Sequence, residues 1–376
     1  MSDNPSFVLK AIEEVVYEQR PIPEIKENEV LVTVKKTGIC GSDVHYLCHG
    51  RIGDFIVEKP MVLGHESSGI VYKVGSNVKS LKPGDRVAME PGATCRNCEY
   101  CKAGRYNLCE DIVFAATPPY DGTLGRYYRL PADLAYSLPD HVTLEDGAMM
   151  EPLAVGAHSV STLGGFRSGQ SIAVFGCGPV GLLCMAVAKA LGAARVIAVD
   201  IVPSRLEFAK AYAATETYLP VKPEDGESKP DYSRRNAENM KKELRIEDRG
   251  VNSVDLVIDA SGAEVSIGTG FYVVKTGGTF VQVGMGNPNV NLNIGLLMVK
   301  ELNYKGSFRY GPGDYPLAIS LVSGGKIDLK PLVTHRYKFD DAITAFKATR
   351  SGKSEDGKGV IKAIISGPDV DETSAN

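Results

Sequence analysis

The first part of the sequence contains three residues whose side chains could hold a reactive metal ion. Cys40 lies in GICGSD, and His65 with Glu66 lies in KPMVLGHESSG, residues 59–69. Three protein ligands leave the fourth position of a tetrahedral zinc open, and such an ion can act as a Lewis acid on a substrate oxygen. These residue types therefore predict a catalytic zinc. The alternative for His65 taken alone is a core histidine with ordinary hydrogen bonds.

Four further cysteines form a second cluster within residues 90–110, a loop rich in Gly and Pro. Cys95, Cys98, Cys101 and Cys109 have the spacing CxxCxxCx7C. Four thiolates around one ion leave no open position, so such a site is structural and its binding energy adds to folding. The alternatives are chance clustering, a redox disulfide pair, or an iron–sulfur cluster, whose further cysteine spacing is missing. The spacing predicts one structural zinc.

A glycine-rich turn indicates where a nucleotide would bind. Gly176, Gly178 and Gly181 follow the apolar run SIAVFG and precede the helical pattern LLCMAVAKALGA. In such a turn the first glycine permits the tight bend, the second lets the backbone approach a pyrophosphate, and the third lets helix and strand pack closely. The helix N-terminus then offers free N–H groups to the phosphates.

Asp200 indicates which dinucleotide this turn would accept. It closes the run RVIAVD, where a carboxylate accepts hydrogen bonds from the adenosine ribose and repels a 2′-phosphate. Arg205 nearby could receive a 2′-phosphate instead, and Asp200 could be a helix N-cap or a loop carboxylate. We predict NAD rather than NADP.

The elements around these residues indicate two kinds of fold. Residues 1–90 alternate short apolar runs with turn signals such as KPGD, as antiparallel β-structure does. From about residue 171, near-continuous apolar strands alternate with helical patterns, which predicts a parallel sheet covered on both faces. The run GVIKAIIS, residues 359–366, could return as a strand to the first domain. The hydrophilic segment 221–250 is predicted to be a solvated loop leading into a surface helix, without a binding role.

Length and charge narrow the classes of function. A chain of 376 residues exceeds the length at which single cores stop growing, so two domains are expected. The formal net charge of −4 gives no electrostatic reason to bind nucleic acid or an anionic membrane. The start lacks the pattern of a signal peptide, and no apolar run approaches the length of a membrane span. We expect a cytoplasmic protein that acts on a small molecule.

These motifs together resemble the zinc-dependent medium-chain dehydrogenases over nearly the whole chain. Several further stretches are similar to the polyol dehydrogenases within that family, and HGRIGDF is similar to the xylitol dehydrogenases of fungi. The stretches similar to the polyol branch are CGSDVHY (40–46), FAATPPYDG (114–122), MEPLAVGAH (150–158) and GSFRY (306–310).

The resemblance implies an α/β fold with two domains. One is a Rossmann domain, a doubly wound parallel sheet that binds NAD, at residues 156–308. The other is a GroES-like antiparallel β catalytic domain formed by residues 1–155 with 309–376, which would carry the catalytic zinc and the structural zinc loop. The resemblance also implies a homodimer or homotetramer.

The resemblance further implies roles for residues around the catalytic zinc. Cys40, His65 and Glu66 would hold the metal, and Glu151 would be an alternating ligand or would hold a zinc-bound water. An ion pair or a helix-start carboxylate is the alternative for Glu151. Apart from the resemblance, general acid–base chemistry makes Ser42, or the zinc-bound water held by Glu66 and Glu151, the candidate for the first proton carrier, and His45 or His49 could pass the proton on.

Substrate and cofactor residues are implied in the same way. A polyhydroxylated substrate needs donors and acceptors for its hydroxyls when it is desolvated. The residues implied for substrate are Tyr46, Phe114, Thr117, Glu151, Arg309 and Tyr310. Those implied for NAD are Gly176, Gly178, Val180, Gly181, Asp200, Arg205, Val283, Gly284, Met285, Ser307, Phe308 and Arg309.

The expected reaction is hydride transfer from a secondary alcohol to NAD, with zinc lowering the pKa of the bound hydroxyl. Oxidation of xylitol to D-xylulose is the specific expectation, with L-arabinitol or sorbitol as alternative substrates. Two alternatives come from other classes: a catalytically silent nucleotide-binding relative, and a redox sensor that uses the four-cysteine loop as a switch.

Overall fold

The structure, a computed structural model, describes residues 3–370. The chain divides into two compact units. Unit 1 comprises Met1–Glu151 and Ala318–Asn376, and unit 2 comprises Pro152–Leu317.

The strands of both units are numbered in chain order. They are β1 Pro5–Ala11, β2 Glu14–Gln19, β3 Glu29–Gly38, β4 Arg51–Ile52, β5 Phe55–Ile56, β6 Met61–Val62, β7 Glu66–Val74, β8 Arg86–Met89, β9 Gly92–Ala93, β10 Val113–Phe114, β11 Tyr127–Pro131, β12 Ala135–Ser137, β13 Ser171–Phe175, β14 Arg195–Val199, β15 Glu216–Tyr218, β16 Val254–Asp259, β17 Val274–Gln282, β18 Asn303–Gly306, β19 Val333–Tyr337 and β20 Lys362–Ser366.

The helices are numbered in the same way. The α-helices are α1 Gly41–His49, α2 Glu99–Lys102, α3 Leu144–Ala148, α4 Met150–Ala157, α5 Pro179–Ala190, α6 Pro203–Tyr212, α7 Lys229–Leu244, α8 Glu264–Val273, α9 Ile294–Val299, α10 Asp314–Ser323 and α11 Ala342–Ser351. A π helix spans His158–Leu163, and short 3₁₀ helices span Tyr106–Leu108, Ala132–Leu134, Lys330–Leu332 and Phe339–Asp341.

Unit 1 is built on a seven-stranded sheet with the order β12-β8-β7-β3-β20-β19, in which β11 also pairs with β3. Strand β3 is central because its first half pairs with β11 and its last residues pair with β20, while β7 runs along its other edge. Its residues Val30, Val32 and Val34 are buried in one core, as alternation along a strand requires. The predicted return of residues 359–366 to the first domain is confirmed, since β20 pairs antiparallel with β3.

Unit 2 is built on a six-stranded sheet with the order β15-β14-β13-β16-β17-β18, in which every pairing is parallel. Strand β13 is buried along its whole length, as the near-continuous apolar run predicts. Strand order reverses at β13, and ligands of such sheets bind outside the carboxyl ends of the strands at this reversal. The predicted fold class, a doubly wound parallel sheet with an antiparallel β domain, is confirmed.

The hydrophilic segment also folds as predicted. Helix α7 begins after Ser228, whose side chain accepts a hydrogen bond from the N–H of Asp231. The helix buries Tyr232, Ala237 and Met240 and leaves most of its charged side chains exposed. Within residues 3–370, no helix combines the length and the apolar character that crossing a bilayer requires.

Candidate active site

The three residues predicted to hold a catalytic zinc lie together in unit 1. Cys40 is the N-cap of helix α1, while His65 and Glu66 lie at the start of strand β7. One ligand atom from each residue lies within 4.8 Å of the others. His65 is 7% exposed and Glu66 1% exposed, so a cation held there would be shielded from bulk water.

Asp43, which sequence reasoning did not single out, orients two of these residues. It is fully buried, and its Oδ2 lies 3.3 Å from the Nδ1 of His65 and accepts a hydrogen bond from the N–H of Cys40. Burial disfavours the charged imidazole, but the charge and hydrogen bond of Asp43, with a smaller effect of Cys40, raise the pKa of His65 well above its ordinary value. A donor bond from Nδ1 to the carboxylate leaves Nε2 as the metal-binding nitrogen. The sequence signal was an acidic residue three positions after a helix N-cap.

Glu66 has a partner that the sequence did not predict. The Nζ of Lys362 lies 2.8 Å from Oε1 and 2.6 Å from Oε2 of Glu66, and it also donates to the carbonyl of Ile39 at 3.0 Å. Lys362 is 3% exposed. Burial by itself would lower its pKa, but the charge and hydrogen bond of Glu66, with the charges of Cys40 and Glu151, together outweigh burial and raise it. The only sequence signal was a lysine inside the apolar run GVIKAIIS.

A glycine between the two strands makes this ion pair possible. Gly38 on β3 pairs with Glu66 on β7 at one side and with Ile364 on β20 at the other. A Cβ atom on Gly38 would overlap the Oε2 of Glu66. Glu66 therefore reaches Lys362 by passing over a residue that has no side chain.

Glu151, predicted to share the zinc site, lies in the first turn of helix α4 and is 5% exposed. Within residues 3–370, the cluster of possible metal ligands consists of Cys40, His65 and Glu66 and does not include Glu151. The charge of Glu151 nevertheless contributes to the raised pKa of Lys362. Ser42 is half-buried in α1, three residues before the exposed His45. The roles of Glu151 and Ser42 stay predictions.

The predicted substrate residues of unit 1 lie on several elements. Tyr46 is 3% exposed in helix α1, and Phe114 is 5% exposed in strand β10. The ring of Phe114 lies 5.9 Å from that of His65, so it forms an apolar wall beside a predicted zinc ligand. Thr117 is half-buried, and its N–H donates to the carbonyl of Phe114.

The four cysteines of the loop also converge. The ligand atoms of Cys95, Cys98, Cys101 and Cys109 lie within 4.8 Å of one another, and all four thiols are free. The Sγ atoms of Cys95 and Cys101 are 4.0 Å apart, close to the edge of about 3.8 Å that four sulfurs about 2.3 Å from a central zinc would have. Backbone N–H groups of Asn97 and Cys98 lower the pKa of Cys95 to about 7, which favours the thiolate that a metal requires.

The glycine turn of unit 2 is shaped for a dinucleotide. Gly176 has a φ of 99°, which L side chains rarely adopt. A Cβ on Gly181 would overlap the carbonyl oxygen of Gly176, whereas a Cβ on Gly178 would meet no atom within 4 Å. Gly181 is therefore required for packing of strand and helix, and Gly178 faces open space at the N-terminus of α5. This separation matches the two roles predicted for the glycines.

Asp200 follows strand β14 and is 8% exposed. Its Oδ2 accepts from the N–H of Cys177 at 2.8 Å and its Oδ1 from the N–H of Val202 at 2.9 Å. The carboxylate thus has the loop role considered as an alternative, but each oxygen keeps a second lone pair for a ribose hydroxyl. Arg205 is exposed in α6, and Val180 is half-buried in α5.

Asp259, which sequence reasoning also missed, holds the next group of predicted cofactor residues. It is fully buried, and its carboxylate accepts from the N–H of Gly262 at 2.8 Å and from the Nε2 of Gln282 at 2.6 Å. Its carbonyl accepts from the N–H groups of Val283 and Gly284 at 2.9 and 2.8 Å. The predicted contact that follows, Met285, is 62% exposed. An acidic residue at the end of the apolar strand VDLVID was the available signal.

The last group of predicted residues forms a short segment after strand β18. Ser307 donates its N–H to the carbonyl of Gln282 at 2.8 Å. Arg309 has a φ of 58°, and its guanidinium lies 4.6 Å from the ring centre of the half-exposed Phe308. Tyr310 is 2% exposed. The segment therefore combines one exposed ring with one buried ring.

Comparison with known proteins identifies the family. The family model of the alcohol dehydrogenase GroES-like domain matches residues 26–140, and that of the zinc-binding dehydrogenases matches residues 179–324. D-xylulose reductase A of Aspergillus niger is 56% identical over 369 residues, which cover 98% of this chain and 98% of that protein. This chain belongs to the zinc-dependent medium-chain dehydrogenases.

Solved structures agree with this dehydrogenase family. An Escherichia coli oxidoreductase of unknown specificity is 33% identical with a TM-score of 0.85, and the match covers 97% of this chain and 99% of the other. A structure described as a short chain alcohol dehydrogenase of Escherichia coli, complexed with NADH, is 25% identical with a TM-score of 0.84 and covers 97% and 100% of the two chains.

The predicted family and oxidoreductase class are therefore confirmed, and zinc with a nicotinamide dinucleotide are the cofactors of this dehydrogenase. Both metal clusters fit zinc on chemical grounds. A thiolate, an imidazole and a carboxylate form a mixed set that can leave a coordination position open, while four thiolates close a structural site. The individual roles of the substrate and cofactor residues stay predictions.

Proposed function

We propose that this dehydrogenase interconverts xylitol and D-xylulose with NAD. The observation that carries the proposal is the 56% identity with D-xylulose reductase A over 98% of both chains. The cluster of Cys40, His65 and Glu66 supports it, because these residues would hold the metal that such a reaction uses.

Zinc, when bound, would lower the pKa of a coordinated hydroxyl or polarise a ketone, and NAD would accept or return the hydride. The residues of the chain prepare this chemistry. Asp43 fixes the ring of His65 and leaves Nε2 available, while Lys362 holds the carboxylate of Glu66. Phe114 lies against the ring of His65 and helps to exclude water from the site.

Helix α1 offers a route for the proton that the alcohol releases. Ser42, His45 and His49 lie at positions i, i+3 and i+7 of this helix and therefore share one face. Ser42 is half-buried, His45 and His49 are exposed, and the two imidazole rings lie 5.6 Å apart. We assign the first transfer to Ser42 and the release to solvent to the histidines.

The preference for NAD rests on Asp200. Its carboxylate lies at the end of β14 with both oxygens oriented by backbone N–H groups, so it would meet a 2′-phosphate as a fixed negative charge. Arg205 is exposed one turn into α6 and gives any residual affinity for NADP.

One experiment tests the proposal. Reduction of NAD and of NADP is measured with xylitol, L-arabinitol, sorbitol, ethanol and threonine, before and after removal of the metal. The expected result is the highest kcat/KM with xylitol and NAD, and loss of turnover without metal. Higher efficiency with L-arabinitol or sorbitol would replace the substrate assignment, and turnover that survives metal removal would overturn the mechanism. A catalytically silent relative would reduce NAD with none of these substrates.

We also propose that the enzyme is a cytoplasmic homodimer or homotetramer. Strand β18 is the edge of the sheet of unit 2, and Ile294, Met298 and Val299 of helix α9 are 70, 72 and 69% exposed. A strand at the edge of a sheet and exposed apolar side chains each favour association with another chain. A reducing compartment supports the thiolates of the four-cysteine loop. Sedimentation of the purified enzyme measures the oligomeric state, and a monomer at micromolar concentration would contradict this assignment.

A further inference from the structure

The π helix His158–Leu163 is tied to the segment that carries two predicted substrate residues. The N–H of Gly164 donates to the carbonyl of Ser159, five residues back, which is the hydrogen bond that defines such a helix. π helices are rare and occur mostly at functional sites. None of the roles described above uses this one.

The first ties join the π helix to strand β18 and the residue after it. Lys305 donates from its Nζ to the carbonyl of Leu163 at 2.7 Å. The hydroxyls of Ser159 and Ser307 share a hydrogen bond of 3.0 Å. The beginning of the segment 305–314 is thereby fixed against the π helix.

The second ties meet at Asp314, the first residue of helix α10. One carboxylate oxygen accepts from the hydroxyl of Thr162 at 2.8 Å. The other lies 2.7 Å from the Nδ1 of His158 and accepts from the N–H of Gly311 at 2.7 Å. His158 is 5% exposed and Asp314 is 2% exposed. A buried carboxylate with three donors has one preferred orientation, so the end of the segment is also fixed.

Arg309 and Tyr310 lie between these two anchors. The φ of Arg309 is 58°, a conformation that an L side chain keeps only when its surroundings impose it. The ring of Tyr310 is 2% exposed and lies 5.2 Å from that of Tyr315, which follows Asp314. The contacts of the π helix therefore fix both ends of the segment that carries Arg309 and Tyr310.

We propose that His158 and Asp314 are positioning residues, which hold Arg309 and Tyr310 in the orientation that binds the polyol. Neither residue touches the substrate in this proposal, which rests on the proposed function for the role of Arg309 and Tyr310. Loss of the His158 donor leaves the Asp314 carboxylate with fewer partners and releases the loop at Gly311, while the sheet of unit 2 is unchanged.

The test compares His158→Phe with His158→Asn. Phenylalanine fills the buried space without a donor, whereas the side-chain amide of asparagine can donate from the position of Nδ1. The control is His141→Phe. His141 is exposed, and within residues 3–370 its side chain makes one hydrogen bond, to the carbonyl of Ser323. Two quantities are measured on the full enzyme: the KM and kcat for xylitol, and the hydrogen exchange of the Gly311 amide.

His158→Phe should raise the KM for xylitol roughly tenfold or more while kcat changes by less than about threefold. The Gly311 amide should exchange at least about tenfold faster, with the amides of β16 and β17 unchanged. His158→Asn should restore both quantities to within about threefold of the unchanged enzyme. A wild-type KM in His158→Phe, or unchanged exchange at Gly311, would overturn the proposal. If the unchanged enzyme oxidises no polyol, the proposed function fails, and the exchange measurement alone decides whether His158 anchors the segment.

Discussion

Replacement of Lys362 by methionine tests whether the buried ion pair with Glu66 holds the predicted metal ligand in place. Methionine fills most of the volume of lysine but has no charge and no donor. Glu66 is 1% exposed, so the change leaves a buried carboxylate without its cation. It also removes the Nζ that donates to the carbonyl of Ile39 at 3.0 Å.

The distances give the size of the effect. Charges about 3 Å apart attract each other by about 5 kcal/mol at an effective dielectric constant near 20. Removing one partner of a buried pair typically costs about 3 to 5 kcal/mol of stability, because the other charge stays buried. Unit 1 falls in the size class in which 1 kcal/mol shifts the melting temperature by about 2 to 4 °C, so Lys362→Met should lower it by about 6 to 20 °C.

A double-mutant cycle separates the ion pair from general damage. Lys362→Met and Glu66→Gln are each expected to destabilise, and the double variant should be more stable than the sum of the two losses predicts, by about 3 kcal/mol or more. The cycle is measured in a Cys40→Ser background so that a bound metal does not compensate the carboxylate. Lys82→Met is the matched control, because the Nζ of Lys82 lies 2.8 Å from Oδ1 of Asp85 but the side chain of Lys82 is 81% exposed. The melting temperature of the Lys82→Met variant should hardly change. A melting temperature of Lys362→Met within about 2 °C of its parent would refute the reasoning.

Three further predictions concern the remaining sites. Gly178→Ala should leave the free energy of unfolding unchanged and weaken NADH binding about tenfold, whereas Gly181→Ala should lower the free energy of unfolding by about 1 to 3 kcal/mol, because its Cβ overlaps a backbone oxygen. Fluorescence titration measures the binding and thermal unfolding measures the stability. Equal effects of the two variants on both quantities would contradict the assigned roles. Cys98→Ser should lower bound zinc from two ions to one per chain and lower the melting temperature, and two retained ions by elemental analysis would disprove a structural zinc there. Arg195 lowers the pKa of Glu216, so the stability from this pair is present above the ordinary carboxyl pKa and is lost as pH falls through the lowered value. The difference in melting temperature between the unchanged enzyme and Glu216→Gln should therefore shrink from pH 7 to pH 3. A constant difference would show that the pair contributes nothing.

Local spacing explains what could be predicted from the sequence. The cysteines from Cys95 to Cys109 and the glycines from Gly176 to Gly181 each lie within one turn or loop, so the order of residues fixes their geometry. The period of apolar residues likewise determined the two sheet types, because alternating and continuous burial leave different patterns. Residue type grouped Cys40 with His65 and Glu66 as possible zinc ligands, and the family resemblance then assigned all three to one catalytic zinc.

Contacts between distant parts of the chain explain what could not be predicted. Lys362 is 296 residues from Glu66, and His158 is 156 residues from Asp314. A lysine in an apolar run and a histidine at a helix end are each compatible with several environments, and only the pairing of strands or segments selects one. The passage of the Glu66 side chain over Gly38 could not be predicted for the same reason, because it depends on which strands flank β3 and on their register.

The ion pair changes the electrostatic argument for the zinc site. If Glu66 were a ligand without Lys362, a thiolate and a carboxylate would neutralise both charges of Zn²⁺, and the ion would attract a substrate oxygen less strongly. Lys362 adds one positive charge at 2.6 Å from that carboxylate, in a site where both residues are at most 3% exposed. With zinc bound, the group formed by zinc, Cys40, Glu66 and Lys362 would have a net positive charge, which would favour an alkoxide over an alcohol. We therefore expect Lys362 to support catalysis through the charge of the site as well as through the position of Glu66. A variant that keeps the fold but lacks this cation should lose more of its alcohol oxidation, relative to the unchanged enzyme, at neutral pH than at high pH, and an equal loss at both pH values would contradict this role.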